Sequence, residues 1–239
     1  MRAIFAALAG AAVLAACNVT GADARVVEAS GVQGARDFQV GAFETVSLAG
    51  SHNVIVTVGG APSVRAEGDT AVLEHLDIRV EDGELRIGTE RGFSFRGPGR
   101  VTIHVTTPSL RGAEIAGSGD IQVSALQTQR FDGEIAGSGN LILQQLQADT
   151  AEFDIAGSGN VRAAGRVRQA SIDVMGSGNA ELAGLQAQDA DVSIAGSGNA
   201  NMHASGAARV SIMGSGNVTV AGGARCSVSK MGSGDVRCG

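Results

Sequence analysis

The 239-residue chain contains no Trp and no Tyr, and Phe occurs only seven times. Nucleobases and sugar rings are commonly held on aromatic platforms, so sites of that kind have little material here. Positive charge is also in short supply. The formal net charge is −6, and the chain without Arg2 is one unit more negative. That balance discourages nucleic acid or anionic lipid as a partner. The four histidines (His52, His75, His104, His203) are scattered without metal-ligand spacing, and no nucleophile elbow, phosphate loop or zinc motif occurs. No catalytic residue, metal or cofactor is therefore assigned from sequence. Proline occurs three times and glycine 36 times, but the glycines come in pairs at long intervals, which is not a collagen pattern.

The one long apolar run, residues 3–16, is too short to span a bilayer. With Arg2 before it and Cys17 after it, the run reads as an export signal. Its end, Leu14-Ala15-Ala16-Cys17, resembles a bacterial lipobox, in which the cysteine is lipidated and becomes the mature N-terminus. The alternative is cleavage after Ala22-Asp23-Ala24, which releases a soluble chain starting at Arg25. The lipoprotein reading is preferred, and it places the protein in the cell envelope with the membrane as its partner through the lipid. Two or three acyl chains anchor durably where one does not. After Cys17 only Cys226 and Cys238 remain. An oxidising compartment favours their pairing, whereas two thiols with no His near them in sequence make a weak zinc constellation.

The most informative feature is a tetrapeptide, Gly-Ser-Gly followed by Asn or Asp, at 117–120, 137–140, 157–160, 176–179, 196–199, 214–217 and 232–235. A near-constant period of this size denotes stacked repeats. Apolar residues alternate on both sides of each copy, as in Phe153 and Ile155 before it and Val161 and Ala163 after it. Each repeat therefore reads as strand, tight turn, strand. A hairpin meander would also have two strands per repeat. Near-identical turns at a fixed period favour a solenoid, in which equivalent side chains stack at about 4.8 Å. Glycine at two of four positions permits close approach of neighbouring coils, while Ser and Asn can bond within the turn and in ladders between coils. A calcium reading by likeness to glycine-aspartate nonapeptides fails, because five of the seven copies carry Asn at about twice that spacing.

Ahead of the repeats, alternating β-branched residues predict strands around 43–48, 54–58, 64–66, 78–80, 85–87 and 101–105, and one helical turn at 71–76 capped by Asp69 or Thr70. The expected organisation is a signal at 1–16, a flexible tether at 17–40, a β-rich part at 41–112 and β-solenoid repeats at 113–239. The last two form one continuous domain, 41–239. The fold class is all-β: a β-helix-like solenoid of short strands behind a small β-rich N-terminal part.

The GSGN and GSGD repeats, the lead-in Phe43, Val46, Leu48, Gly50, Asn53, Val54 and Val56, the Asp82-Gly83-Glu84-Leu85-Arg86-Ile87 strand and Pro108-Ser109-Leu110 together resemble a family. It is the bacterial auto-transporter adhesin, head GIN domain family. Ala49-Gly50-Ser51-His52-Asn53 resembles a degenerate first copy of the tetrapeptide, with His52 replacing the second glycine. The resemblance spans residues 43–238 and implies a β-helix-like fold and an adhesin role, but it supplies no catalytic or binding residues. The stretch from Gly88 to Arg100 matches no part of the family pattern.

Function is then sought on the outward positions. Before the turns these are Glu114, Asp132, Glu134, Glu152, Asp154, Asp173 and Asp191. Stacked coils would align Glu114, Glu134, Asp154 and Asp173 into a column, a candidate face for a cation or a basic partner. The plainer reading is a solvated face that discourages edge pairing. Two functional classes follow: a non-enzymatic envelope module that binds an envelope or cell-surface component, and a carbohydrate-active enzyme on a β-helix scaffold. The first is preferred.

Overall fold

The structure is a computed structural model that describes residues 25–96 and 100–239, and every structural statement below concerns those residues. From Gly112 to the C-terminus the chain winds as a β-solenoid, each coil pairing in parallel with the next. Equivalent positions of the repeats fall in register, so that Gly117, Gly137, Gly157, Gly176 and Gly196 form one row. The cause is the apolar alternation, because a slip by one residue would turn every inward side chain to solvent. Ile115, Ile135, Ile155, Val174 and Ile194 thereby stack in one buried row, and Ile121, Leu141 and Val161 in another.

Each coil has three ladders, where the sequence pattern suggested two strands. In the coil Asp120–Gly137 they cover 120–123, 125–128 and 130–137, with corners at Ser124, at Gln129 and at the next tetrapeptide. The additional face exists because Leu126, Leu146 and Leu185 also turn inward and are buried. Their apolar run per coil is at most two positions, as in Leu185 and Ala187, too short to stand out as a separate strand.

Side-chain volumes in successive coils are complementary. Phe131 lies over Ala151, while Gly133 lies over Phe153, and the two rings sit 6.1 Å apart. A Cβ on Gly133 would fall 3.0 Å from the Phe153 ring and 2.7 Å from Leu141. Large and small residues thus alternate across the coil boundary, which is how a thin interior reaches close packing.

The coil stack extends below residue 113. Thr45–Gly50 and Asn53–Val58 pair in parallel with Gly112–Gly117 and with the start of Asp120–Gly137, setting Gly50 opposite Gly117 and Asn53 opposite Asp120. The Gly50 to Asn53 segment therefore occupies the position of a first turn. Beneath it lie Glu84–Thr89 and Val101–Thr107, also parallel. Antiparallel strands then close the end: Leu76–Glu81 on one side, Ser63–Asp69 on the other. The helical turn is Thr70–Leu73, capped by Asp69, and Leu76 begins a strand instead of ending the helix.

The described part of the expected tether, from residue 25, is ordered into strands. Gln33–Phe38 pairs antiparallel with Ser63–Asp69, and Arg25–Glu28 pairs with Phe93–Arg96, inside the stretch that had matched no family pattern. Polar contacts hold this segment where apolar pattern is sparse. The buried Asp69 carboxylate accepts from Ser30 N, Gly31 N and Ala71 N. These bonds, led by that from Ser30, hold its carboxyl below the usual range. Phe93 stacks on His75 at 3.9 Å.

The other end is closed differently. Cys226 and Cys238 occupy the inward rows of Ala208 and Val220 and form a disulfide across the last turn. Lys230, the only lysine of the chain, stands in the row of Ile194 and Ile212, and its Nζ donates to Gly234 O at 2.7 Å.

Candidate functional site

The tetrapeptide is spent on structure. In the turn at 157–160, Gly137 O accepts from both Ser158 N (2.8 Å) and Gly159 N (3.0 Å). Gly157 has φ +128°, and a Cβ on Gly159 would stand 2.6 Å from Gly139 O. Close stacking of one turn on the next therefore requires glycine at both positions.

The fourth residue forms a ladder. Asn160 Nδ2 donates to Asn140 Oδ1, Asn179 to Asn160, Asn199 to Asn179 and Asn217 to Asn199, each at 2.9 Å. The donors all point one way, so the first member needs only to accept. That member is Asp120, which takes Asn140 Nδ2 at 2.6 Å and Asn140 N at 3.0 Å. The last member is Asp235, whose backbone N donates to Asn217 Oδ1. Asp120 thus heads the amide ladder as its acceptor, whereas Asp235 joins it only through its backbone N. The serine hydroxyls depart from expectation: among the described residues they bond to nothing and face outward at the corner. Beside them, Met175, Met213 and Met231 are exposed in a row otherwise made of alanines.

The acidic column forms as the spacing predicts. Glu114, Glu134, Asp154 and Asp173 are in register on successive coils, with Asp132 and Glu152 in the adjoining row. Burial, followed by the charges of Glu152, Asp173 and Glu134, pushes the Asp154 carboxyl above its ordinary value. Burial, followed by Glu84 and Glu134, does the same to Glu114. Arginines at the edge offset part of the repulsion: Arg130 reaches Asp132 and Glu152, each at 2.7 Å, and Arg209 reaches Asp191 at 3.3 Å. One carboxylate per coil makes a stripe, and among the described residues no three metal-ligating side chains converge on a point. Cys17, the expected lipidation site, lies outside the described residues.

The sequence pattern missed the third face. It carries the row Gln127, Gln147, Arg166, Gln186 and His203. The signal available was a polar-x-polar pair at one offset in each repeat, Gln127/Gln129, Gln147/Asp149, Arg166/Arg168 and Gln186/Gln188, together with the shortening of one repeat.

Fold and faces define the class: a β-solenoid that displays columns of like side chains on flat walls. The family model "putative auto-transporter adhesin, head GIN domain" matches residues 42–224, and the chain belongs to that family. Among solved structures it is similar to a putative adhesin from Bacteroides fragilis, with a TM-score of 0.84 and 24% identity over 89% of this chain and 99% of the other. A protein described as a putative lipid binding protein from Parabacteroides distasonis gives a TM-score of 0.76 at 24% identity, over 90% of this chain and 100% of the other. A putative adhesin from Parabacteroides merdae gives 0.69 at 17%, over 90% and 99%. At these identities the likeness is one of fold. No curated protein matches the chain.

Proposed function

We propose that this protein is a non-enzymatic, adhesin-like binding module of the cell envelope. Lipid on Cys17 anchors it, and the solenoid presents its walls to an envelope or cell-surface component. The observation that carries the reading is the in-register column Glu114, Glu134, Asp154 and Asp173. Like charges stacked on successive coils oppose folding, and a basic partner lying along the stripe would neutralise them. The family to which the chain belongs, and the adhesin descriptions of its structural relatives, support the same class.

Two experiments test it. Mass spectrometry of the mature N-terminus should find a lipidated Cys17, and an unmodified chain starting at Arg25 would remove the anchor. Pull-down from the native envelope should recover a basic component with the wild-type chain and lose it with Glu134→Gln/Asp154→Asn/Asp173→Asn. For the enzyme alternative, Asp154→Ala/Asp173→Ala should abolish turnover of a polysaccharide. The binding reading instead predicts an unchanged fold with no turnover in either form.

A further inference from the structure

The third face bears a groove of about 1030 Å³ across four coils, and its shape follows from coil length. The strand Asn160–Gly176 has 17 residues, whereas Asn140–Gly157 before it and Asn179–Gly196 after it have 18 each. The pairing slips where the residue is missing, between Leu143 and Leu146 on one side and between Arg162 and Ala164 on the other. Gly165 then lies opposite Leu146 and Leu185 in the row that is leucine in the neighbouring coils. Its φ is +130°, and a Cβ there would collide with Leu146 O. The short coil runs between two longer ones, and a shorter coil still, Asn199–Ala204 with Ala207–Gly214, borders the groove at its far side, where the register shifts again between Leu182 and Gln186.

The lining sets long polar side chains over small and apolar ones, among them Ala148, Ala164, Val167 and Ala187. Gln144, Gln145 and Gln147 form one wall, and Gln186, Gln188 and His203 the other. Arg166 and Arg168 rise from the floor strand. Arg130 and Arg162, the other arginines of the coils from Asp120 to Gly196, are paired with carboxylates. Neither Arg166 nor Arg168 has a carboxylate partner among the described residues, in a protein of net charge −6. Their one contact of this kind is Arg166 Nη2 to Gln186 Oε1, a long 3.4 Å. The amides of Gln144, Gln145, Gln147 and Gln188 bond to nothing described, in contrast to the asparagine ladder, where each interior amide is used.

We propose that this groove is a binding site for an anionic, hydroxyl-rich oligosaccharide, held at its edges with no aromatic ring to stack on, the Gln144/Gln145/Gln147 and Gln186/Gln188 amides taking the hydroxyls and Arg166 and Arg168 the acid groups. Amides both donate and accept, as hydroxyls require, and a guanidinium presents a planar fork to a carboxylate or sulfate. An extended acidic peptide fits less well. Both edges of each groove strand are already paired with neighbouring coils, so no free strand edge is offered for main-chain pairing. The groove lining contains no carboxylate, so it lacks the acid and base pair that glycoside hydrolysis needs. The acidic column lies on a different face, and the carboxylate that the register sets beside Arg168 is Asp149, which is not among the groove-lining residues. The inference deepens the binding-module reading by naming a second ligand class and where it sits.

Calorimetric titration of the full chain with tetragalacturonate, a sulfated tetrasaccharide, a neutral tetrasaccharide and tetraglutamate tests the assignment. Binding of either anionic saccharide, weaker at high salt and absent with the neutral one, is the expected result, and the two anionic arms distinguish carboxylate from sulfate. Arg166→Gln/Arg168→Gln should weaken it at least about tenfold, since a hydrogen bond to a charged group contributes roughly 1.5–3 kcal/mol. Unaltered affinity in the arginine variant, with its circular dichroism unchanged, overturns the site, and tighter binding of tetraglutamate overturns the ligand class. No binding by either anionic saccharide also overturns it, yet leaves the envelope pull-down to decide the broader reading separately.

Discussion

At the scale of single residues, the asparagine ladder explains a detail that looks arbitrary in sequence, namely Asp in the first tetrapeptide and Asn in the five that follow. A carboxylate can end a one-way chain of donors but cannot sit inside it. Asn160→Asp keeps the acceptor for Asn179 and removes the donor to Asn140, setting two oxygens at the 2.9 Å now spanned by a hydrogen bond. The variant should lose about 1–3 kcal/mol in chemical denaturation at pH 7, and part of that loss should return as the new carboxyl protonates. Asp154 behaves oppositely. Its folded-state pKa is raised above the unfolded value of 3.8, so its unfavourable contribution is fully present above the folded pKa and vanishes as pH falls below the unfolded one. Asp154→Asn should therefore raise the melting temperature at pH 7, by an amount equivalent to less than about 1 kcal/mol. The gain should be gone at pH 3, and an equal gain at both pH values would show that repulsion in the column is not its source.

At the scale of elements, the two ends of the solenoid use different devices against the same hazard, an unpaired parallel edge that can template another chain. The N-terminal end is covered by antiparallel strands and a buried helical turn. The C-terminal end has only the inward Lys230 and the Cys226–Cys238 disulfide to interrupt an apolar floor in which Val228 is 48% exposed. For a loop of this length a disulfide contributes about 3 kcal/mol in the chain-entropy account. Cys226→Ser/Cys238→Ser should lower the melting temperature, and Lys230→Ile should raise the dimer and higher-order fraction in sedimentation at unchanged secondary structure. A monomeric Lys230→Ile variant would count against the lysine as a guard.

These ends also show what a sequence can convey. The inward cysteines, the acidic column and the role of Gly50 to Asn53 as a first turn were all readable, because each repeats a pattern at a fixed offset. Arg25–Glu28 and Gln33–Phe38 were not. The second lies against Ser63–Asp69, whose Asp69 is 36 positions beyond Gln33 and holds Ser30 and Gly31, and the first pairs with Phe93–Arg96, through backbone bonds that leave no alternation. The third face was illegible for a related reason, since its buried positions number one or two per coil and the leucine row is broken by Gly165.

At the scale of the whole molecule, nearly all stabilising contacts of a coil are with the coils directly above and below it. Stability in such a stack is a sum of coil and interface terms, so removing one coil should remove one set of each and preserve the rest. Residues 158–176 are a test with built-in register: their deletion joins Gly157 directly to Ser177 and brings Asn140 beneath Asn179. The ladder, the stacked glycines and the buried rows would continue across the junction, with Leu141 under Ala180 and Ile155 under Ile194. The shortened chain should fold with β-type circular dichroism and unfold in one transition at a lower temperature. The same deletion removes Gly165, Arg166 and Arg168 and sets the Leu146 and Leu185 coils, of 18 residues each, against each other. Without the floor strand and its two arginines, this variant should keep its fold and lose binding of the anionic tetrasaccharide. Deleting residues 138–157 instead removes a long coil, leaves both arginines and one glutamine wall, and should weaken that binding without abolishing it. A stack that fails to fold after either deletion would show that the coils are coupled beyond their neighbours, against the additive account of the solenoid.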